Sequence, residues 1–216
     1  MGVLRFSKCS SFYSIKGVYE FNLPAGHSCP YAVDCLSKVD RETGKQMLPK
    51  NKFRCYASVV ERYPAVRNQR WSNFEAVRKM SGGELVSTLL DSIPEKAERI
   101  RIHGGGDFFS QDYFDAWLKV ARARPDIIMW AFTKSVGFWV KRINEIPFNL
   151  TLQASWGGQF DVLIKRYSLK SAKVFKSAED VGDLPIDTDD TLAMTGSRSF
   201  ALLDNFSVPK KAKKGQ

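Results

Sequence analysis

RIRIHGGGDFFSQDYFDAWLKVARARPDIIMWAFT, residues 99–133, decides the fold. RIRI alternates charged and apolar residues and reads as a strand that ends at a glycine run. Ser110-Gln111-Asp112 then caps YFDAWLKVARAR, whose apolar residues recur on one helical face. PDIIMWAFT is a buried strand. Strand, helix and strand with short connections are the pattern of a right-handed βαβ unit and a parallel sheet.

The same alternation runs outward from this stretch. Beyond it, KSVGFWVKRINEI predicts a helix and NLTLQAS a strand. WGGQFDVLIKRYSL reads as largely helical and AKVFKS as a short strand, with one or two strands after Asp190. Before it, GVYEFNL over Gly17–Leu23 predicts a strand, and Asp40–Lys52 reads as a polar excursion or hairpin. Residues 56–80 have helical spacing that Pro64 breaks or kinks, and ELVSTLLDSI reads as another short helix. About six strands suffice for an open or partial parallel β/α barrel. One α/β domain over 1–208 is expected, with a cysteine-rich part at 9–55 and a low-complexity, disordered tail at 209–216.

The chain has 216 residues and is 44% hydrophobic, enough for one full core. Its net charge of +10 favours acidic partners, nucleic acid above all. Four lysines of the tail leave about +6 for the rest. Arg62, Arg67, Arg70 and Arg78 make the segment after Cys55 strongly basic, and a solvated basic surface is the competing interpretation. The N-terminus lacks the apolar core of a signal peptide, and no apolar run is long enough to span a membrane. A cytoplasmic location is therefore expected, where cysteines serve as thiols or metal ligands more often than as disulfides.

All four cysteines lie in the first quarter: Cys9, Cys29, Cys35 and Cys55. Clustered thiols suggest a shared ligand set. Zinc sites usually contain a close CxxC pair, and none occurs here. An iron–sulfur cluster tolerates wider and irregular spacing, so it is favoured over zinc, with plain thiols third. Four cysteine ligands would close a cubane; three would leave one iron open.

In parallel α/β folds, ligands bind at the carboxyl ends of the strands. Those ends read PAGHSCP, HGGGDFFS, TKS, ASWGG and KS. Gly104, Gly105 and Gly106 let a backbone approach a ligand closely, and Asp107 can accept from an ammonium or hydroxyl. The alternative is a glycine turn whose aspartate helps cap the next helix. Lys134 could hold a carboxylate or phosphate, or simply lie exposed at a helix start. Trp156 reads as packing rather than a stacking platform. His27 and His103 flank the motifs but read as structural. Asp187, Asp189 and Asp190 read as a solvated turn.

FNLPAGHSCPYAVDC, KFRCYAS, RIHGGGDFFSQDYFDAWLKVARARPD, FTKSVGFWVKRINEIP and ASWGGQFD are similar to a phage and prophage family named after gene product eighty-eight. The layout also resembles radical S-adenosylmethionine proteins: a cysteine loop after the first strand, then a glycine-rich acidic motif after the second. That resemblance implies a [4Fe–4S] cluster on Cys29, Cys35 and Cys55, with S-adenosylmethionine on its open iron. Gly104, Gly105, Gly106 and Asp107 would line the methionine site, with Thr133, Lys134 and Ser155 beyond. Asp107 and Lys134 would be the catalytic candidates. The chain departs from the usual CxxxCxxC of those enzymes, and Cys9 stands as either a spare thiol or a fourth ligand. Nucleic acid is the expected substrate class. The alternative is a non-catalytic nucleic-acid or host-protein binder stapled by a structural cluster or zinc.

Overall fold

A computed structural model describes residues 4–9, 16–47 and 55–204. Its centre is a seven-stranded sheet in the order β1 (Phe6–Lys8), β2 (Val18–Phe21), β5 (Arg99–Ile102), β6 (Ile128–Thr133), β7 (Leu150–Ser155), β8 (Ser171–Phe175) and β9 (Phe200–Leu203). From β2 onward every pair is parallel, and each strand lies beside the one before it among these seven. Only β1 runs antiparallel, with Phe6 opposite Phe21. Strands β3 (Lys38–Val39) and β4 (Gln46–Met47) form a separate hairpin that starts two residues before the expected excursion at Asp40, and residues 48–52 of that excursion lie outside the described residues.

The alternation within each strand sorts side chains onto two faces. Ile100, Ile102, Met129, Ala131, Leu150 and Leu152 enter one apolar cluster. Helices α3 (Gly82–Ser92), α4 (Gln111–Ala123), α5 (Val136–Val140) and α6 (Asp161–Arg166) cover that face, with Leu85, Leu89, Phe114, Trp117, Trp139 and Ile164 in the same cluster. Ser110 caps α4 as its sequence predicts, accepting from the Tyr113 amide at 3.2 Å. Losing a buried ring such as Trp117 from this layer would cost about 3–5 kcal/mol.

The opposite face holds a smaller cluster of Val18, Trp130, Ala172 and Phe200, closed by Ala193 and Met194 of α7 (Thr191–Thr195). Here the solvated-turn expectation for the DTDD segment is corrected. Asp187 and Asp190 are buried. Asp187 accepts from the Ala193 amide at 3.0 Å, which orients α7. Asp190 accepts from Trp130 Nε1 at 3.1 Å and pairs with Arg101 Nε at 3.2 Å. Asp189 accepts from the Thr191 amide at 3.0 Å.

The long basic segment splits at proline as expected. Helix α1 (Tyr56–Val60) ends, and α2 (Pro64–Val77) begins with Pro64 in its first turn, where a missing N–H costs nothing. Two of its arginines are not a solvated basic face. Arg67 is buried and donates to the carbonyls of Arg41, Glu61, Arg62 and Glu42. Arg70 is buried against Glu61. Arg62 donates to the Tyr63 hydroxyl, and Arg78 lies over Phe74. The lysine tail lies outside the described residues. Among those described, no helix is long and apolar enough to cross a membrane.

Two helices are shorter than their sequences suggest. Beyond Val140, bonds of the i→i+3 kind replace helical ones, as from the Arg142 amide to Trp139 O. The Arg142 side chain meanwhile grips Asp115 through two bonds, at 3.0 and 2.8 Å. Residues 156–160 are drawn out of α6 by the contacts described next.

Candidate functional site

The loop carrying Cys29 leaves the carboxyl end of β2. Leu23 N donates to Gly105 O at 2.8 Å, so the loop starts against the glycine run. Ala25 N donates to Glu61 Oε1 at 2.8 Å, and Gly26 N points at Cys29 Sγ at 3.3 Å. Further on, the amides of Val33 and Asp34 both donate to Gly157 O, at 3.0 and 2.9 Å, and Gln159 N donates to Tyr31 O at 2.9 Å. The loop is thus pinned on the β7–α6 connection just before Cys35. Gly157 has φ +91°, and a Cβ there would lie 2.7 Å from that of Asp34. Asp161 in turn accepts from the amides of Gly157 and Gly158, both at 2.9 Å.

Cys55 enters from the other side, at the start of α1. The next residue, Tyr56, donates its hydroxyl to Gly104 O at 2.7 Å. Glu61 is fully buried at the end of the same helix and accepts from Arg70 at 2.7 Å as well as from Ala25 N. One carboxylate therefore joins the Cys29 loop, the Cys55 segment and α2. The sequence presents Arg70 only as part of a basic segment and gives no sign of Glu61; for Gly157 only the pairing of the two glycines in WGG is a hint.

The structure brings Cys29, Cys35 and Cys55 to one neighbourhood. The Cys29 thiol is pushed well up, first by burial and then by the nearby Asp107, Cys55 and Cys35. Burial lifts Cys35 to about 11, opposed by the Lys134 cation, with Cys55 and Asp107 adding to the rise. Burial also raises Cys55. Cys9 is elsewhere. Its amide donates to Val18 O at the opposite end of β2, and its thiol is lifted to about 12 by burial and by Glu20. Among the described residues, no three Cys, His, Asp or Glu side chains are gathered tightly enough for a single metal ion.

Asp107, Thr133, Lys134 and Ser155 form one hydrogen-bonded set. Asp107 accepts from Thr133 Oγ1 at 2.7 Å, from Phe108 N at 2.7 Å and from Lys134 N at 2.8 Å. Burial nonetheless raises its carboxyl to about 6, against these bonds and the Lys134 charge. Lys134 is not the exposed cation that its place at a helix start allows. It is buried, and its ammonium donates to Ser155 Oγ at 2.7 Å, Ser155 O at 3.2 Å and Trp156 O at 2.5 Å.

The glycine run is occupied more by the protein than its sequence suggests. Gly105 N donates to Asn22 Oδ1 at 2.7 Å, while Gly104 O and Gly105 O accept from Tyr56 and Leu23. A Cβ would strike Glu20 and Asn22 at Gly104, Arg70 at Gly105, and Leu23 and Ser28 at Gly106. Both histidines are structural. His27 Nε2 meets Val39 O at 3.0 Å and packs on Trp71; His103 is buried with Nε2 2.9 Å from the Tyr113 hydroxyl.

A family model described as Gene product 88 matches residues 7–216. This chain belongs to the Gene product 88 family. It is 33% identical over 124 residues to the Gene 88 protein of Mycobacterium phage L5, and 32% identical over 124 residues to that of Mycobacterium phage D29. Those alignments take in 52% of this chain and 46% and 45% of the two relatives, so the match spans under half of their length. No solved structure matches.

Proposed function

We propose that this Gene product 88 protein holds an iron–sulfur cluster through Cys29, Cys35 and Cys55, on a partial parallel β/α barrel akin to radical S-adenosylmethionine proteins. One observation carries this: three thiols from two segments lie together near the carboxyl end of a sequentially ordered parallel sheet, while the fourth sits at the other end. The donor set suits such a group. All three candidate ligands are sulfur, and one already receives a backbone N–H. A three-cysteine set leaves one iron free for S-adenosylmethionine. A reduced cluster held there would supply the electron that cleaves the sulfonium of S-adenosylmethionine.

The chain's own residues bind and orient. Glu61 and Gly157 fix the two cysteine-bearing segments. Asp107, carrying a proton up to about pH 6, ties the glycine run to β6 and places a carboxyl beside Cys29 and Cys35. Lys134 supplies a buried positive charge next to Cys35, which offsets the negative charge of thiolate ligands. Neither is free to act as a proton donor without giving up existing bonds.

A second reading keeps the cluster, or a zinc, as a staple in a non-catalytic binding protein. The occupied glycine backbone favours it, because fewer amides remain for a methionyl group. Anaerobic purification with iron and sulfide assays, followed by reductant and S-adenosylmethionine, separates the two. Release of 5′-deoxyadenosine supports the enzyme, and a cluster without release supports the staple. Cys9→Ser should keep full iron content and Cys35→Ser should lose it; equal loss in both would overturn the three-thiol assignment. Zinc in place of iron would overturn the cluster.

A further inference from the structure

Each strand of this sheet is covered on its outer face by a crossover helix until β8. There the pattern stops. The connection from β8 to β9 carries only α7, and α7 packs on the opposite face against Trp130, Ala172 and Phe200. On the face where earlier strands present Ile and Leu, β8 places Ser171 and Lys173, and Ser199, just before β9, lies beside Ser171. A cleft of about 390 Å³ lies over it, within the range of small-ligand sites.

The walls of this cleft have a definite chemistry. Trp156 forms one side, and its Nε1 donates to Ser171 Oγ at 3.0 Å, which fixes the plane of the indole. Ser199 Oγ accepts from Ser171 N at 3.0 Å and sits 3.4 Å from Ser171 Oγ. Lys165 of α6 lies over the indole, 6.0 Å from its centre, and exposed Lys173 of β8 stands on the floor. Leu184 supplies an apolar flank, and no carboxylate lines the cleft among the described residues. A fixed indole, two cations and two hydroxyls suit a planar base bearing a phosphate.

We propose that this cleft binds a nucleotide, its base displacing the Lys165 ammonium from the face of Trp156 and its phosphate between Lys165 and Lys173. The site is independent of the cysteine assignment. The same chemistry is offered by a free nucleotide and by one unit of single-stranded nucleic acid, and two probes distinguish them.

The test is equilibrium binding of the full-length protein to AMP and, separately, to a fluorescein-labelled ten-residue oligo(dA), across a salt series. Trp156→Ala should weaken whichever probe binds by at least about tenfold, and Trp156→Phe should restore much of that. Lys165→Gln with Lys173→Gln should weaken it similarly. In the oligonucleotide arm, the double change should also flatten the salt dependence by about one and a half logarithmic units per decade. Binding of AMP as tight as that of the oligomer identifies a free-nucleotide site; binding of the oligomer alone identifies single-stranded nucleic acid. Lys173→Glu, at an exposed strand position, covers the case in which Trp156→Ala fails to fold. No binding of either probe, or binding that Lys173→Glu leaves unchanged, overturns the proposal.

Discussion

At the scale of single residues, His103 shows how burial sets a pH response. It has φ +69°, its Nε2 faces Tyr113, and Nδ1 has no hydrogen-bond partner among the described residues. Burial depresses its ring from 6.5 to about 3. Between those values the unfolded chain binds a proton that the folded chain refuses, so stability falls as pH falls. The full loss is on the order of a few kcal/mol. Asp107 works the other way: its folded carboxyl holds a proton up to about pH 6 against 3.8 ordinarily, so its contribution is lost as pH rises through that window. Each slope is worth one proton, so the two offset between about pH 3.8 and 6, and the histidine slope stands alone above and below that window. His103→Asn keeps a side chain that tolerates positive φ and removes the titration. Urea midpoints at pH 7, 5.5 and 4.5 should then fall less steeply than in the parent protein; parallel decline in both would sink the idea.

At the scale of elements, the two cysteine-bearing segments depend on joints far away in sequence. Arg70→Met leaves Glu61 buried beside Ala25 N without its cation, a change that typically costs about 3–5 kcal/mol. Adding Glu61→Gln should recover part of that, since an amide can still accept from Ala25; chemical denaturation of the single and double variants measures it. Gly157→Ala tests the other joint. A Cβ at φ +91°, 2.7 Å from Asp34, must push the Cys35 end of the loop away. Iron content after anaerobic reconstitution should drop severalfold while far-ultraviolet circular dichroism stays unchanged; unaltered iron content would show that the β7–α6 connection does not position Cys35. These joints mark what the sequence could express. The βαβ pattern, the Ser110 cap, the break at Pro64 and the hairpin after Val39 are local signals, and each is found in the structure. The antiparallel β1 is only three residues, too short to show alternation. Asp190 reads as a turn residue because its partner Arg101 is 89 positions away. The glycine run reads as open toward a ligand because nothing local reveals that Arg70 and Glu20 lie where its side chains would be. The three-and-one division of the cysteines has no local signal either and comes only from the resemblance, since it depends on which end of β2 each segment meets.

At the scale of the whole molecule, the sheet is bounded by two unequal layers. One face carries α3 to α6. The other carries α7, pinned through Asp190 to Arg101, whose guanidinium also reaches Tyr56 at 2.9 Å and Glu20 at 3.5 Å. Tyr56 then touches the glycine run, so the inner polar network and the cysteine end are one connected structure. Any group held by Cys29, Cys35 and Cys55 together would tie the N-terminal quarter to the ends of β2, β5 and β7. Binding only to the folded chain stabilises it by about 2.7 kcal/mol at a hundredfold excess over Kd. For a chain of this length that corresponds to a rise in Tm of roughly 5–10 °C. Anaerobic loading with iron and sulfide should therefore raise the Tm of the parent protein and of Cys9→Ser alike. Cys35→Ser should show no rise, because the two thiols left, Cys29 and Cys55, are one ligand short of the set. Iron retained by the parent with no change in Tm would place the metal outside this junction, and the three thiols would then be a buried cluster of structural cysteines.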